Sequence, residues 1–491
     1  MPRAHWLEEL PLPARDPRAL ARLTRALTDY ERSTAFHRGE VGWSLRRMRR
    51  LVAALGEPLR GVPVLHVAGS KGKGSVCLLA EALLRAHGLR TGLYLSPHVD
   101  RWTERIQVGG RELDAGAMGA GIEAVLRRAA RAGIEMPTLF ETLTAAAFVA
   151  FRRARVDVAV VEVGIGGRLD ATNVVAADVS VVTALELEHT AVLGRTLRAI
   201  AGEKAGILRR GTWGLSGVPA QSPVAEVLRA AARRAGVPLL ERGRGLEVRA
   251  RADAFELSLA RGAGAAGGAP AAIRLPAPDC GPFSVANAAL ATAAVLLLAR
   301  RRPKLLPAFD HLRAAAALRT ARLPARCETV AHDPRIVRDG AHTPRSLRAV
   351  ARAIARESAP RKPVVVLALK SDKPVARCLA ALRGAVGPVV ATTVPGGRSR
   401  DPEEIVAAAR ASGIMALAEP DPARALARAV RRAGPRGVVL VTGSFWLAGL
   451  VPRLLATLRA SSRSDATRDS RRPPSGRSRQ PWTSRSSTIS S

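Results

Sequence analysis

Aromatic residues make up only 3% of the 491 positions, so the cores of this chain must be built from Ala, Leu and Val rather than from large rings. Lysine is scarcer still and occurs only at positions 71, 73, 204, 304, 362, 370 and 373. The net charge of +36 is therefore almost entirely arginine. Those arginines run along the whole chain and form no block interleaved with aromatics. That reads as charge solvated on helix faces rather than as a specific nucleic-acid footprint, and it leaves a general attraction to acidic ligands. The four cysteines, Cys77, Cys280, Cys327 and Cys378, lie far apart, which excludes a C-x-x-C pair or metal spacing and suits buried free thiols in a reducing compartment. A membrane span is also missing. The stretch Phe283 to Ala299 carries Ser284 and Asn287 and falls short of the roughly 20 apolar residues required. The opening MPRAHWLEELPLPARD has acids and prolines where a signal peptide has an apolar core. A cytoplasmic protein is expected.

What the chain does have is 47% hydrophobic residues, enough for two or three domains with real cores. Short apolar runs alternate with Ala/Leu/Arg stretches of helical length. The candidate strands are Val62–Ala68, Val156–Val163, Val179–Leu185, Val364–Leu369, Val389–Val394 and Val438–Thr442. Most are apolar on both faces, as parallel strands covered by helices on both sides must be. The expected class is α/β and doubly wound. Ala260–Ala272 is Gly/Ala-rich and reads as a surface loop. Ala299–Pro307, ARRRPKLLP, mixes charge with proline after a long apolar helix and marks a domain boundary, giving 1–302 and 303–460. The Ser/Arg/Pro-rich segment 461–491 cannot bury enough apolar surface to fold and is expected to be a disordered tail.

The stretch HVAGSKGKGS, His66–Ser75, fails the common G-x-x-x-x-G-K-[ST] loop. Yet it follows a strand and precedes a helical run ending at Gly88. Strand, glycine loop and helix N-terminus together aim backbone N–H groups at an anion. Lys73 would sit among phosphates, and the Ser75 hydroxyl would reach a metal held by them. In VDVAVVEVGIGGRLDATN, Glu162 is an acid near the carboxyl end of an apolar strand, where it faces the ligand crevice and suits Mg²⁺. In VTALELEHTAVLGRTLRAIAGEKAGIL, His189 follows a third strand, and Lys204 lies among Ala and Gly. Poor solvation there lowers its pKa and opens it to modification. Ser96, after TGLYL, offers another metal oxygen. In the second half, Asp339 and His342 share a glycine turn in RDGAHTPRS, and LALKSDKP and VVLVTGSFWLAG end two further strands. Together these suggest a second crevice facing the first.

The strings SPHVDRWTERI, TLFETLTAAAF, VEVGIGGRLDATN, EHTAVLGRTLRAIAGEKAGIL, DGAHTP and VTGSFW, in that order behind a G-x-x-G-K-[GT]-[ST] loop, resemble the folate branch of the Mur ligase family, from about Leu45 to about Arg459. The resemblance implies an N-terminal P-loop ATPase-type domain with a mostly parallel sheet and a smaller C-terminal Rossmann-like α/β domain. It also implies a monomeric ATP-dependent amide ligase joining L-glutamate to dihydropteroate or a reduced folate through an acyl phosphate. On this reading Gly69, Ser70, Lys71, Gly72, Lys73, Gly74 and Ser75 bind ATP with Asn287, Arg326 and Asp339. Ser75, Ser96, Glu162 and His189 hold Mg²⁺, joined by Lys204 once carbamylated. Lys73, Lys204 and His342 are the catalytic residues.

Four departures stand out. Phe283-Ser284 replaces the His-Gln that relatives often carry before Asn287, and Thr343 stands where Asn is common. Glu188 stands where Asp is usual, and Ser70-Lys71 stands where Thr-Asn is common. Two other readings fit the residues less completely: a Mur-type ligase acting on a different carboxylate, and a basic nucleic-acid-binding protein with a non-catalytic ligase core.

Overall fold

Each of the six apolar runs forms a strand, and each lies in a parallel stretch of sheet. The computed structural model describes residues 5–33, 44–251, 253–260, 272–394 and 399–469. The first sheet contains β1 (Val64–Ala68), β2 (Thr91–Tyr94), β3 (Ile106–Val108), β4 (Arg111–Glu112), β5 (Val158–Glu162), β6 (Val179–Val182), β7 (Trp213–Pro219), β8 (Leu239–Arg242), β9 (Gly245–Ala250), β10 (Ala254–Leu259) and β11 (Ile273–Pro276). Its order is β11-β10-β9-β8-β7-β6-β1-β5-β2-β3-β4. The middle, β8 to β2, is parallel, and the two margins are antiparallel hairpins. On β1, Leu65 and Val67 enter a core with Val158, Val160, Val179 and Val181. Val64 packs on the opposite face with Ala159 and Val161. Two-sided burial explains why these runs show no polar alternation, and each such Val or Leu contributes about 1.5–3 kcal/mol.

The helix Ser284–Arg301 has the length and apolar composition of a membrane span. It packs instead into the first core, against the helix Lys73–Ala86 and β7. Its Ala-rich face permits that close approach, and Arg300 and Arg301 mark its end. The sequence places the domain boundary at 302/303. The polypeptide, however, stays with the first core for another twenty residues. Leu306, Ala314, Ala317, Leu318 and Leu323 are buried in it, through the helix His311–Thr320, whose start Asp310 caps by accepting from the N–H groups of Leu312 and Arg313. The charge and proline that signal a break at Arg301–Pro303 bend the chain without ending the first core.

The second sheet contains β12 (Glu328–His332), β13 (Arg335–Arg338), β14 (Val364–Leu367), β15 (Val389–Ala391), β16 (Ala416–Ala418) and β17 (Val438–Thr442), in the order β12-β13-β17-β14-β15-β16. All neighbours but β12 and β13 are parallel. Separate clusters cover its two faces, one under the helices Pro344–Glu357, Val375–Leu382 and Pro402–Ala411, the other under Pro422–Ala433 and Phe445–Asp469. The last helix passes Ser461, where the sequence predicts the tail to begin, and the rest of the tail lies outside the described residues. So does most of the Gly/Ala-rich loop after β10.

Candidate active site

The glycine loop is strapped to the neighbouring parallel strand. After β1 the chain turns through Gly69 at φ 146° and Gly72 at φ 91°, and the helix begins at Lys73. The Ser70 and Lys71 N–H groups donate to the Ala184 carbonyl at 2.8 and 3.2 Å, just beyond the end of β6. The Thr183 hydroxyl donates to the Lys71 carbonyl at 2.7 Å, and the Ser70 hydroxyl to the Glu186 carbonyl at 3.0 Å. Glycine is required at two points. A Cβ on Gly69 would lie 1.8 Å from the Thr183 Oγ1, and one on Gly72 would lie 2.4 Å from the Asn287 Oδ1. The second contact also places Asn287, on its own helix, directly against the loop.

Glu162 closes the loop from β5. It is buried, its Oε2 accepts from the Ser96 N–H at 2.8 Å, and it lies beside Gly74. Burial raises its pKa, while Lys73, the Ser96 N–H, Arg326 and Arg105 favour the carboxylate. Ser75 is buried one turn into the helix. Arg326, from the connection between the two sheets, directs its Nε to the Ser75 hydroxyl at 3.3 Å, and its guanidinium lies 4.5 Å from the centre of the Phe445 ring.

Lys204 enters from the helix Leu197–Ala205 and is 1% exposed. Its Nζ donates to the Gly69 carbonyl at 2.9 Å and to the Glu188 Oε1 at 3.1 Å. Burial, then the charge of Lys73, lowers its pKa to about 8. Burial pushes the Glu188 carboxyl up, but Lys73, Lys204 and Lys71 outweigh it and leave its pKa below the ordinary value. His189 stands exposed at the start of the short helix Thr190–Leu193, in left-handed backbone, and does not cap that helix with its side chain.

The second sheet supplies the opposite wall. The His342 Nδ1–H donates to the Gly340 carbonyl at 2.8 Å, and its Nε2 accepts from the Lys71 Nζ at the same distance. Burial, then the Lys71 charge, lowers the His342 pKa to about 3, so the ring is neutral. Burial lowers the Lys71 pKa to about 8 against the pull of Glu188 and Glu186. The buried Asp339 accepts from the N–H groups of Cys327 and Ala341 at 2.8 and 2.7 Å, so it shapes the turn that presents His342.

The structure thus brings Lys71, Lys73, Ser75, Ser96, Glu162, Lys204, Asn287, Arg326, Asp339 and His342 around one loop, with His189 at its rim. Among the described residues, no three His, Cys, Asp or Glu side chains cluster as a ready-made metal cage. Sequence reasoning missed Thr183 and Glu188 as structural parts of the loop. A Thr at the carboxyl end of an apolar strand was the available signal for the first.

Residues 325–445 match the family described as Mur ligase, glutamate ligase domain. The dihydrofolate synthase/folylpolyglutamate synthase of Mycobacterium tuberculosis is 37% identical over 381 residues, which cover 74% of this chain and 77% of that one. The chain belongs to this family of Mur ligases. The enzyme of the same description from Escherichia coli is 33% identical over 394 residues, covering 80% of this chain and 86% of that one. The E. coli protein in complex with DHPP and ADP superposes with a TM-score of 0.76 at 30% identity, over 90% of this chain and 98% of that one. The bifunctional folylpolyglutamate synthase/dihydrofolate synthase of Yersinia pestis, complexed with AMPPNP and Mn ion, gives 0.75 at 29% identity, over 88% and 98%. The glutamate-ligase match begins at Ala325 and ends at Phe445, so it takes in Arg326 and the aromatic ring beneath it. Of the four departures from the family pattern, Glu188 and Lys71 join the ion-pair network of the loop, while Phe283 is exposed at the cap of the Asn287 helix.

Proposed function

We propose that this chain is an ATP-dependent ligase that joins L-glutamate to dihydropteroate, a reduced folate or both. A carboxylate oxygen of the acceptor attacks the γ-phosphorus of ATP, ADP leaves, and an acyl phosphate forms. The glutamate nitrogen attacks the acyl carbon, phosphate leaves, and the nitrogen loses a proton to give the amide. The observation that carries this reading is the strapped glycine loop with Lys73 at its helix start, faced across the cleft by Arg326 and His342 from beyond the first core. Two anions must meet, so fixed positive charge is the main requirement. Lys73 and the loop N–H groups not already donated to Ala184 would hold the transferring phosphate, with Lys71, Gly74, Asn287, Arg326 and Asp339 completing the nucleotide site. Lys71 holds His342 neutral and oriented at Nε2. One buried carboxylate beside two hydroxyl residues fits Mg²⁺, which takes few protein ligands and completes its shell with phosphate oxygens. Ser75, Ser96, Glu162 and His189, with a carbamate on Lys204, would hold it, and the ion supplies charge neutralisation when bound. Closure of the two domains would exclude water from the acyl phosphate. Four unpaired cysteines support a reducing, cytoplasmic setting.

The test is mass spectrometry of products from purified protein with ATP, Mg²⁺ and L-glutamate, using 7,8-dihydropteroate in one reaction and tetrahydrofolate in another. One glutamyl unit on dihydropteroate alone defines a dihydrofolate synthase. A ladder on tetrahydrofolate defines polyglutamylation, and both outcomes define a bifunctional enzyme. No addition in either reaction overturns the proposal.

A further inference from the structure

Arg338 is a buried cation with no part in the chemistry above. It ends β13, is 4% exposed, and its guanidinium joins three segments. Its Nη1 donates to the Asp100 carboxylate at 2.9 and 3.2 Å, across the junction between the two sheets, and to the Ala448 carbonyl at 3.1 Å. Its Nε donates to the Glu328 Oε2 at 2.8 Å.

Each carboxylate leads back to the phosphate loop. Asp100 lies in the loop that begins at Ser96, whose N–H holds Glu162. That loop is internally braced: Glu104 accepts from the N–H groups of Val99, Asp100 and Arg101 at 2.7–2.8 Å. It is also pressed against the second domain. A Cβ on Gly449 would lie 2.2 Å from the Val99 carbonyl oxygen, and His98 meets Trp446 edge-on with ring centres 6.3 Å apart. On the other side, Glu328 Oε2 also accepts from the Ala325 N–H at 2.8 Å, and the Ala325 carbonyl accepts from Gly340 at 3.0 Å. Ala325 precedes Arg326, the residue that reaches Ser75.

A buried arginine is costly unless its fork is fully paired, and a fork paired to two carboxylates on different segments fixes both at once. We infer that Arg338 is a positioning residue: through Asp100 it sets the loop that carries Ser96, and through Glu328 it sets the connection that carries Arg326. The two arms that grip the phosphate loop from outside are thereby aligned by one side chain. This rests on the ligase reading for its catalytic consequence, but not for its effect on nucleotide binding.

The experiment is a double-variant cycle with Asp100→Asn, Arg338→Lys and the combined protein. Asp100→Asn keeps the size of a partly exposed side chain while removing its charge and one of the two oxygens that accept from Arg338, so it folds even where the arginine variant does not. Two quantities are read: AMPPNP affinity by calorimetry, and kcat with dihydropteroate at saturating ATP. Each single change should weaken nucleotide binding or lower kcat by about tenfold, with KM for L-glutamate unchanged and the thermal midpoint of Asp100→Asn near wild type. The combined protein should be no worse than the poorer single one, because Asp100 acts through Arg338 and has nothing further to lose once the guanidinium is gone. Wild-type affinity and kcat in Asp100→Asn, or effects that multiply in the combined protein, overturn the inference. If the wild-type chain ligates neither acceptor, the ligase reading fails and the calorimetric cycle alone decides the role of Arg338.

Discussion

Lys204 should react with carbon dioxide, and the structure supplies the scale. With a pKa of about 8, roughly half of its side chains carry a free amine at pH 8. At the ordinary lysine value the figure is about 0.3%, so the nucleophile is enriched on the order of 150-fold. The amine lone pair attacks the carbon of CO₂, and the nitrogen releases a proton to leave a carbamate. The obstacle is Glu188, now 3.1 Å from the Nζ. A second negative charge at that separation costs about 5 kcal/mol at an effective dielectric of about 20. Any offset must come from cations that act on the new charge itself: Lys73, whose field is felt at Lys204, and Lys71, which stands 4.0 Å from Glu188. The carbamate should therefore depend on these neighbouring cations, Lys71 among them. NMR with ¹³C-bicarbonate should show a protein-bound carbonyl signal that vanishes in Lys204→Arg and weakens in Lys71→Met. A spectrum without any Lys204-dependent signal, or wild-type ligation by Lys204→Arg, would refute the reasoning.

Lys73→Ala should lower kcat by about 10²–10³-fold while circular dichroism and melting stay near wild type, because the residue opens the helix without filling a core. Gly69→Ala should destabilise the fold by about 2–4 kcal/mol in urea titrations, since its Cβ would overlap the Thr183 hydroxyl that straps the loop. Stability should also depend on alkaline pH. Lys71 and Lys204 have folded pKa values of about 8, below the ordinary 10.5, so between those limits the unfolded chain binds more protons. Stability should then rise with pH from about 8 to 10.5, by roughly 3 kcal/mol per residue at most, and denaturant midpoints for Lys204→Met should show a flatter profile.

The loop was legible because its glycines and lysines are crowded in a chain with few lysines, and Glu162 because a lone acid ends an apolar strand. The parallel middle of each sheet was legible because two-sided burial leaves continuous apolar runs. The margins were not. In β9 and β10, Leu246, Phe255, Leu257 and Leu259 alternate with charged or small residues, so each strand shows half the apolar signal of β1 or β5. The straps on the loop were hidden for another reason. Thr183 and Glu186 meet residues 70 and 71 only because β6 pairs with β1, which no local spacing records. The extent of the first core was hidden because charge and proline mark an exposed bend at 301–304, whereas buried residues of that core continue to Leu323.

That last point bears on recombination. Arg326 lies on the very connection that any exchange of C-terminal halves between relatives would cut. A crossover at residue 302 would replace the helix that fills the first core. One placed after Cys327 would separate the donor β-sheet from the residue that reaches Ser75. Functional chimaeras should be confined to junctions inside the short interval from Leu323 to Ala325, with the Asp100 and Arg338 partners inherited from the same parent or matched by hand.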